Sequence, residues 1–157
     1  ISAIIAGAIF AVIGGRADSS FGPKPVITAC ILLLTLVAVG IVLVSPTSVF
    51  GVAVPEGSPA PDIAFYVFGA TIGAAGGALQ SASRTMMVRQ ADPARMTEAF
   101  GLYALAGKAT SFLAPTLIGF ATWVSGSQQI GVAPLIGLFV IGLFLLVWVK
   151  PDGDRAA

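Results

Sequence analysis

The sequence contains no histidine and no asparagine, and only 10% of its residues are charged. Without histidine, imidazole chemistry and most transition-metal sites are excluded, and without asparagine there is no N-glycosylation sequon. Cys30 is the single cysteine, so an intrachain disulfide is excluded and the redox compartment is not indicated. A net charge of +1 argues against nucleic acid as a partner. No metal site, cofactor or enzymatic activity is expected.

Hydrophobic residues dominate the chain instead. They make up 57% of its 157 residues, and the mean hydropathy is +0.98. Soluble domains usually devote about a quarter of their residues to Asp, Glu, Lys and Arg. This chain has too few charges to solvate the surface of a globule. The composition therefore predicts an integral membrane protein whose main partner is the lipid bilayer.

Five apolar segments divide the chain. The first covers residues 1–14 and is shorter than the roughly 20 residues that cross a bilayer, so we interpret it as part of a helix that begins upstream. The other four are close to that length and are predicted as helices over 26–44, 63–83, 97–123 and 130–149. The alternating polarity of membrane-barrel strands does not occur. We expect an all-α membrane bundle whose proline-rich connection, residues 45–61, is irregular.

Lysine and arginine occur at alternate connections between these segments. The cations of the first connection, the third connection and the tail are Arg16 and Lys24, then Arg84, Arg89 and Arg95, then Lys150 and Arg155. The second and fourth connections contain none. The positive-inside rule places the cation-bearing connections and the tail, residues 150–157, in the cytoplasm. We expect a multi-pass protein of the cell (inner) membrane with a cytoplasmic C-terminus.

Lys108 is the only charged residue between Glu98 and Lys150. Ten helical residues separate it from Glu98, about 15 Å, which is half of a roughly 30 Å hydrocarbon core. A lysine at the centre of a bilayer costs about 3 kcal/mol even on permissive scales, so it should face the bundle interior or a water-filled cavity. No acid in the sequence lies at the same depth. Three roles stay open: contact with the solute or coupling ion, an interhelical ion pair, and incidental placement.

Small and weakly polar residues accompany Lys108 on its predicted helix. Steps of three or four residues place it on one stripe with Gly101, Ala104, Ser111 and Pro115. Pro115 has no amide hydrogen to donate to the Ser111 carbonyl, which predicts a helix bend and a free acceptor one turn from the ammonium. Ser111, on this stripe, and Tyr103, elsewhere on the same helix, are further candidates for polar groups of a solute site.

Gln80 is a second polar candidate at membrane depth. It shares a helical stripe with small residues, namely Gly69, Gly73, Gly76 and Ser83. Glycines at such spacing allow another helix to approach closely. For Gln80, cavity lining and interhelical hydrogen bonding are equally compatible with the pattern.

Residues 14–24 resemble the cytoplasmic loop motif of the major facilitator superfamily. Gly14 and Asp18 have the spacing of that motif, and Gly22 and Lys24 follow as its later glycine and cation. Ser19 stands where the family has a basic residue, and Arg16 is the cation available to replace it. The resemblance implies that this loop braces the cytoplasmic gate of a transporter.

Three stretches are similar to the vacuolar effluxer-like branch of that superfamily: GGALQSASR at 76–84, EAFGLYALAGKATSF at 98–112 and SGSQQ at 125–129. The resemblance implies the C-terminal part of a twelve-helix bundle, corresponding to helices 8 to 12, with the N-terminal half as the missing partner. It implies a secondary transporter that moves a small solute, with amino acids as one candidate class, coupled to protons or sodium. The alternative is a non-transporting membrane subunit or an inert truncated transporter.

Overall fold

The computed structural model describes residues 15–16, 20–45, 47–55 and 57–150. In that part, four helical spans are long and apolar enough to cross a bilayer: Pro23–Val42, Ala60–Gln90, Pro93–Ser125 and Gln128–Trp148. The chain is therefore an all-α, multi-pass membrane protein. The first predicted segment, residues 1–14, and the tail beyond residue 150 lie outside the described residues.

Helix α1 (Pro23–Val42) corresponds to the segment predicted over 26–44. It begins directly after Gly22, whose φ of 84° is a backbone conformation that glycine adopts readily and other residues rarely do. Pro23 occupies the first helical position, where an amide hydrogen would have no intrahelical acceptor. The glycine and the proline together explain why the helix starts three residues earlier than predicted.

The connection after α1 was predicted to be irregular, and this is wrong for its first half. It forms a small antiparallel sheet of three two-residue strands, β1 (Val44–Ser45), β2 (Ser48–Val49) and β3 (Val52–Ala53), in the order β1-β2-β3. Phe50 and Gly51 join the last two strands with φ of 51° and 82°. Two successive positive φ angles are typical of the tight turn that matches strand twist in a hairpin.

Helix α2 (Ala60–Gln90) has 31 residues and extends beyond the predicted segment, 63–83, at both ends. Its buried face consists mainly of alanines: Ala74, Ala75, Ala78, Ala82 and Met86. The predicted glycine stripe is a different face, and a methyl group added at Gly69 or Gly76 would meet no atom within 4 Å among the described contacts. Among the described residues, the fully buried positions in the middle of α2 are therefore alanines and a methionine.

The segment predicted as one helix over 97–123 is interrupted. A short 3-10 turn (Pro93–Arg95) leads into α3 (Met96–Thr110), and α4 (Leu113–Ser125) follows after two intervening residues. Pro115 lies in the first turn of α4. Its ring cannot donate a hydrogen bond and crowds the carbonyl four residues earlier, which accounts for an interruption at this position.

A tight turn connects α4 to the last helices, α5 (Gln128–Gly131) and α6 (Ala133–Trp148). Gly126 ends α4 in the left-handed conformation, with φ of 66°. At Gly131 the chain passes so close to α4 that an added methyl group would collide with the Thr122 side chain. This close approach folds α5 back against α4.

Helix α1 is at the centre of the described bundle and packs against both α2 and α6. The core near its start contains Ile27, Ala82 and Met86. Near its other end, a methyl group added at Gly40 would lie 2.7 Å from the Phe68 ring. By contrast, α3 and α4 contain no buried residue among the described contacts. One side of the bundle is therefore left open along these two helices.

Candidate functional site

Lys108 lies in the last turn of α3, close to the midpoint of the 33-residue span Pro93–Ser125. Its side chain is exposed on the open side of the bundle. Among the residues that the structure describes, no hydrogen bond or ion pair involves its ammonium group. Glu98, the nearest acid along the helix, is bonded instead to Arg95, whose Nε donates to the carboxylate at 2.9 Å. The counter-charge of Lys108 is therefore absent from the described part of the chain.

The helix interruption adjoins this ammonium. Ser111 donates both its amide N–H, at 3.3 Å, and its hydroxyl, at 2.8 Å, to the Lys108 carbonyl. Thr116 then donates its amide to the Phe112 carbonyl at 3.0 Å as α4 begins. Pro115 has no amide hydrogen for the carbonyl of Ser111. The Ser111 hydroxyl thus caps the end of α3, and the Ser111 carbonyl, three residues along the chain from Lys108, lacks its usual helical donor.

Tyr103 contacts α2 through its hydroxyl group. Its hydroxyl lies 2.8 Å from the Ser83 hydroxyl, and the Ser83 hydroxyl also lies 3.1 Å from the Gln80 carbonyl, to which it donates. Tyr103 and Ser83 line an open groove of about 480 Å³, and its other lining residues, which include Met86 and Leu102, are mostly apolar. The structure therefore gives Tyr103 an interhelical hydrogen bond that joins α3 to α2.

Gln80 has an exposed side chain and lines a separate groove of about 440 Å³. Its neighbours there are polar and include Ser81, Arg84 and Thr85. Lys108 and Ser111 do not line this groove. The predicted site residues thus fall into two groups, with Gln80 and Tyr103 on either side of Ser83, and Lys108 with Ser111 at the interruption.

The described part of the predicted gate loop contacts two other helix ends. Gly14 and Asp18 lie outside the described residues, whereas Arg16, Gly22 and Lys24 are described. The Ser20 hydroxyl donates to the Arg16 carbonyl at 3.2 Å. A methyl group added at Gly22 would lie 3.9 Å from the Arg89 guanidinium at the end of α2. The loop therefore meets the last turn of α2.

Lys24 makes the most specific contact of this loop. Its ammonium donates to the carbonyls of Val147, at 3.1 Å, and Val149, at 2.7 Å, at the end of α6. These carbonyls have no acceptor role inside the helix, and the helix dipole makes this end partially negative. Gln90, the last residue of α2, donates its side-chain amide to the Lys150 carbonyl at 3.0 Å. The ends of α1, α2 and α6 are thus tied together.

Sequence reasoning missed the partners of Lys24 at the end of α6 and the Ser83 partner of Tyr103. The position of Lys24, two residues after Gly22, indicates that some acceptor is nearby. No sequence pattern identifies that acceptor as a pair of carbonyls more than a hundred residues away. Within the described residues, no group of three or more acids or cysteines could hold a metal ion.

Comparison with known proteins adds two findings. The family model described as "Vacuole effluxer Atg22 like" matches residues 1–156. A protein of Bacillus subtilis (strain 168), described as the uncharacterized MFS-type transporter YxiO, is 30% identical over 88 residues, which is 56% of this chain. That match spans 21% of the length of the relative. No solved structure matches the chain.

Proposed function

The chain belongs to the vacuole effluxer Atg22-like family of MFS-type transporters, and from this premise we propose that it takes part in moving a small solute by alternating access. In transporters of this class, solute and coupling-ion sites lie near the bilayer midplane, where helices are interrupted. The turn at Ser111 and Phe112, between α3 and α4, lies near the middle of the span Pro93–Ser125. A transporter is favoured over a non-transporting subunit or an inert fragment because the matched family is described as an effluxer.

The observation that carries this proposal is the ammonium group of Lys108 at the middle of a membrane span, without a counter-charge in the described residues. A cation at that depth is costly unless a cavity or an anion compensates it. A carboxylate on the solute supplies that anion, and amino acids are one class of solute that carries it. Lys108 is then the charge partner of the solute. Ser111, which holds the end of α3, positions it.

Gln80 and Tyr103 have secondary roles in this proposal. Gln80 provides an exposed amide on the groove that it shares with Ser81, Arg84 and Thr85, where it donates to or accepts from a polar solute. Tyr103 holds α3 against α2 through its bond to Ser83. Lys24, near the start of α1, binds a carbonyl at the end of α6 and so holds these two helix ends together beside the predicted gate loop.

The open side of α3 and α4 is where we place the rest of the transporter. A transmembrane helix without buried residues needs neighbouring helices or lipid along its whole length, and a helix carrying Lys108 disfavours lipid. We propose that the N-terminal half of the same transporter covers this side and that protons or sodium ions drive the cycle. We place the protein in the cell membrane with residues 150–157 in the cytoplasm.

Solute flux into liposomes containing the full-length protein tests the role of Lys108. Lys108→Met and Lys108→Ala should lower flux of a carboxylate-bearing solute about 30-fold or more, because a desolvated charge pair is lost. Lys108→Arg keeps the charge and should retain more flux than either variant. Arg95→Gln removes an exposed cation at the start of the same span, far from its midpoint, and is the matched control.

Two results would contradict this assignment. Undiminished flux in Lys108→Met removes the lysine from the mechanism, and an equal loss in Arg95→Gln shows that the effect is not specific to the mid-membrane charge. Repeating the uptake with a set of amino acids, with and without a pH gradient, identifies the solute class and tests proton coupling.

A further inference from the structure

A further cavity lies between the start of α2 and the turn that joins α4 to α5. Its volume is about 700 Å³, within the range of cavities that hold small molecules. Four of its lining residues carry polar side chains, and an aromatic ring and aliphatic groups complete the wall. The residues used below are Asp62, Phe65, Ser127, Gln128 and Gln129.

Asp62 is the only ionisable residue among the described lining of this cavity. Its side chain is exposed in the first turn of α2. No described residue donates a hydrogen bond to its carboxylate or pairs with it. Asp62 also lines an adjoining cavity of about 340 Å³ together with Phe65 and Tyr66. Asp62 therefore shares the lining of the larger cavity with one aromatic residue, Phe65, and that of the smaller cavity with Phe65 and Tyr66.

Charge is unevenly distributed between the two ends of the bundle. The connections at this end contain two acids, Glu56 and Asp62, and neither lysine nor arginine, whereas seven of the eight cations are in the other connections and the tail. The eighth is Lys108 in the middle of its span. An end with acids alone has a negative potential that attracts cations. The cavity is thus electrostatically suited to a positively charged ligand.

The residues that line this cavity favour an organic cation over a metal ion. Ca²⁺ needs six to eight oxygen ligands, typically with several carboxylates, and this cavity offers one carboxylate among its described residues. Aromatic faces beside an acid suit an organic ammonium, which gains both ion pairing and cation–π attraction. The side-chain oxygens of Gln128, Gln129 and Ser127 can accept the remaining N–H groups.

We propose that this cavity binds a small organic ammonium compound. Asp62 is its charge partner, the Gln128 and Gln129 amides accept hydrogen bonds from the ammonium, and Phe65 packs against its carbon skeleton. The proposal does not depend on the role of Lys108 or on transport, because binding at this end is measurable by itself.

Calorimetric titration of the full-length protein in nanodiscs with benzylammonium chloride tests the site. We expect saturable binding that Asp62→Asn weakens about fivefold, because one partly exposed charge pair is lost. The Asp92 carboxylate, at the opposite end, accepts a hydrogen bond from the Ala94 amide at 3.0 Å. Asp92→Asn removes this acid but keeps a side-chain oxygen that can accept the same bond, and it should leave the affinity unchanged. Sodium benzoate, the matched anion, should not bind at this site.

Several outcomes would overturn the proposal. The first is that Asp62→Asn leaves the benzylammonium affinity unchanged. The second is that benzoate binds and that Asp62→Asn abolishes its binding. The third is that an equal concentration of sodium or calcium displaces benzylammonium. If Asp62→Asn fails to fold, Gln128→Leu provides a neutral test: it removes one acceptor from the cavity and should weaken benzylammonium binding at least twofold. Unchanged affinity in Gln128→Leu would then refute the assignment.

Discussion

Replacing Lys24 by methionine removes the ammonium that joins α1 to the end of α6 and keeps a side chain of similar length. The two hydrogen bonds that are lost measure 3.1 Å to the Val147 carbonyl and 2.7 Å to the Val149 carbonyl. A hydrogen bond to a charged group contributes about 1.5–3 kcal/mol when buried, and a cation at an exposed helix C-terminus about 0.3–1 kcal/mol. Because one bond is exposed and the other partly buried, the pair should contribute about 2 kcal/mol.

Amide hydrogen exchange measured by mass spectrometry is the assay for this contact. The peptide covering residues 144–150 should exchange about 30-fold faster in Lys24→Met, since exchange of a fraying helix end follows its opening free energy. Lys24→Arg keeps the charge and should show a smaller effect. Arg95→Met, a cation bonded only to Glu98 among the described contacts, is the control. Unchanged exchange in Lys24→Met, or equal acceleration in Arg95→Met, would refute the reasoning.

Two further substitutions test packing and an interhelical bond. Gly131→Ala pushes a methyl group against Thr122 and should lower the free energy of unfolding by about 1–3 kcal/mol. Gly137→Ala is the control, because its added methyl group meets no described atom within 4 Å and should leave stability unchanged. Equal melting temperatures for the two variants would contradict the close approach at Gly131. Tyr103→Phe should cost about 1 kcal/mol, as should Ser83→Ala, because each breaks the same bond. Fully additive losses in the double variant would show that the two hydroxyls do not interact.

Three charged side chains lie at different positions along the length of the helical bundle. Lys24 is at one end and binds helix carbonyls, Lys108 is at the middle without a described partner, and Asp62 is at the opposite end beside a cavity. Each has a separate test above.

The features that sequence reasoning predicted best are those with local causes. The membrane class follows from composition, and the interruption between α3 and α4 occurs four residues before Pro115, where a missing amide hydrogen and a crowded carbonyl disturb a helix. The hairpin turn at Phe50 and Gly51 was missed because only one of its two residues is a type that favours positive φ.

The sequence by itself determined that this chain crosses a bilayer repeatedly, that one cation lies far from any water-exposed connection, and where its helix is disturbed. Each of these depends on hydropathy or on backbone chemistry within a few residues. Only the tertiary structure decided which face of α2 packs, that Tyr103 bonds to Ser83, and that Lys24 binds carbonyls 123 and 125 residues away. Such partners depend on how helices are placed side by side, and small apolar residues on several faces of α2 allow more than one placement.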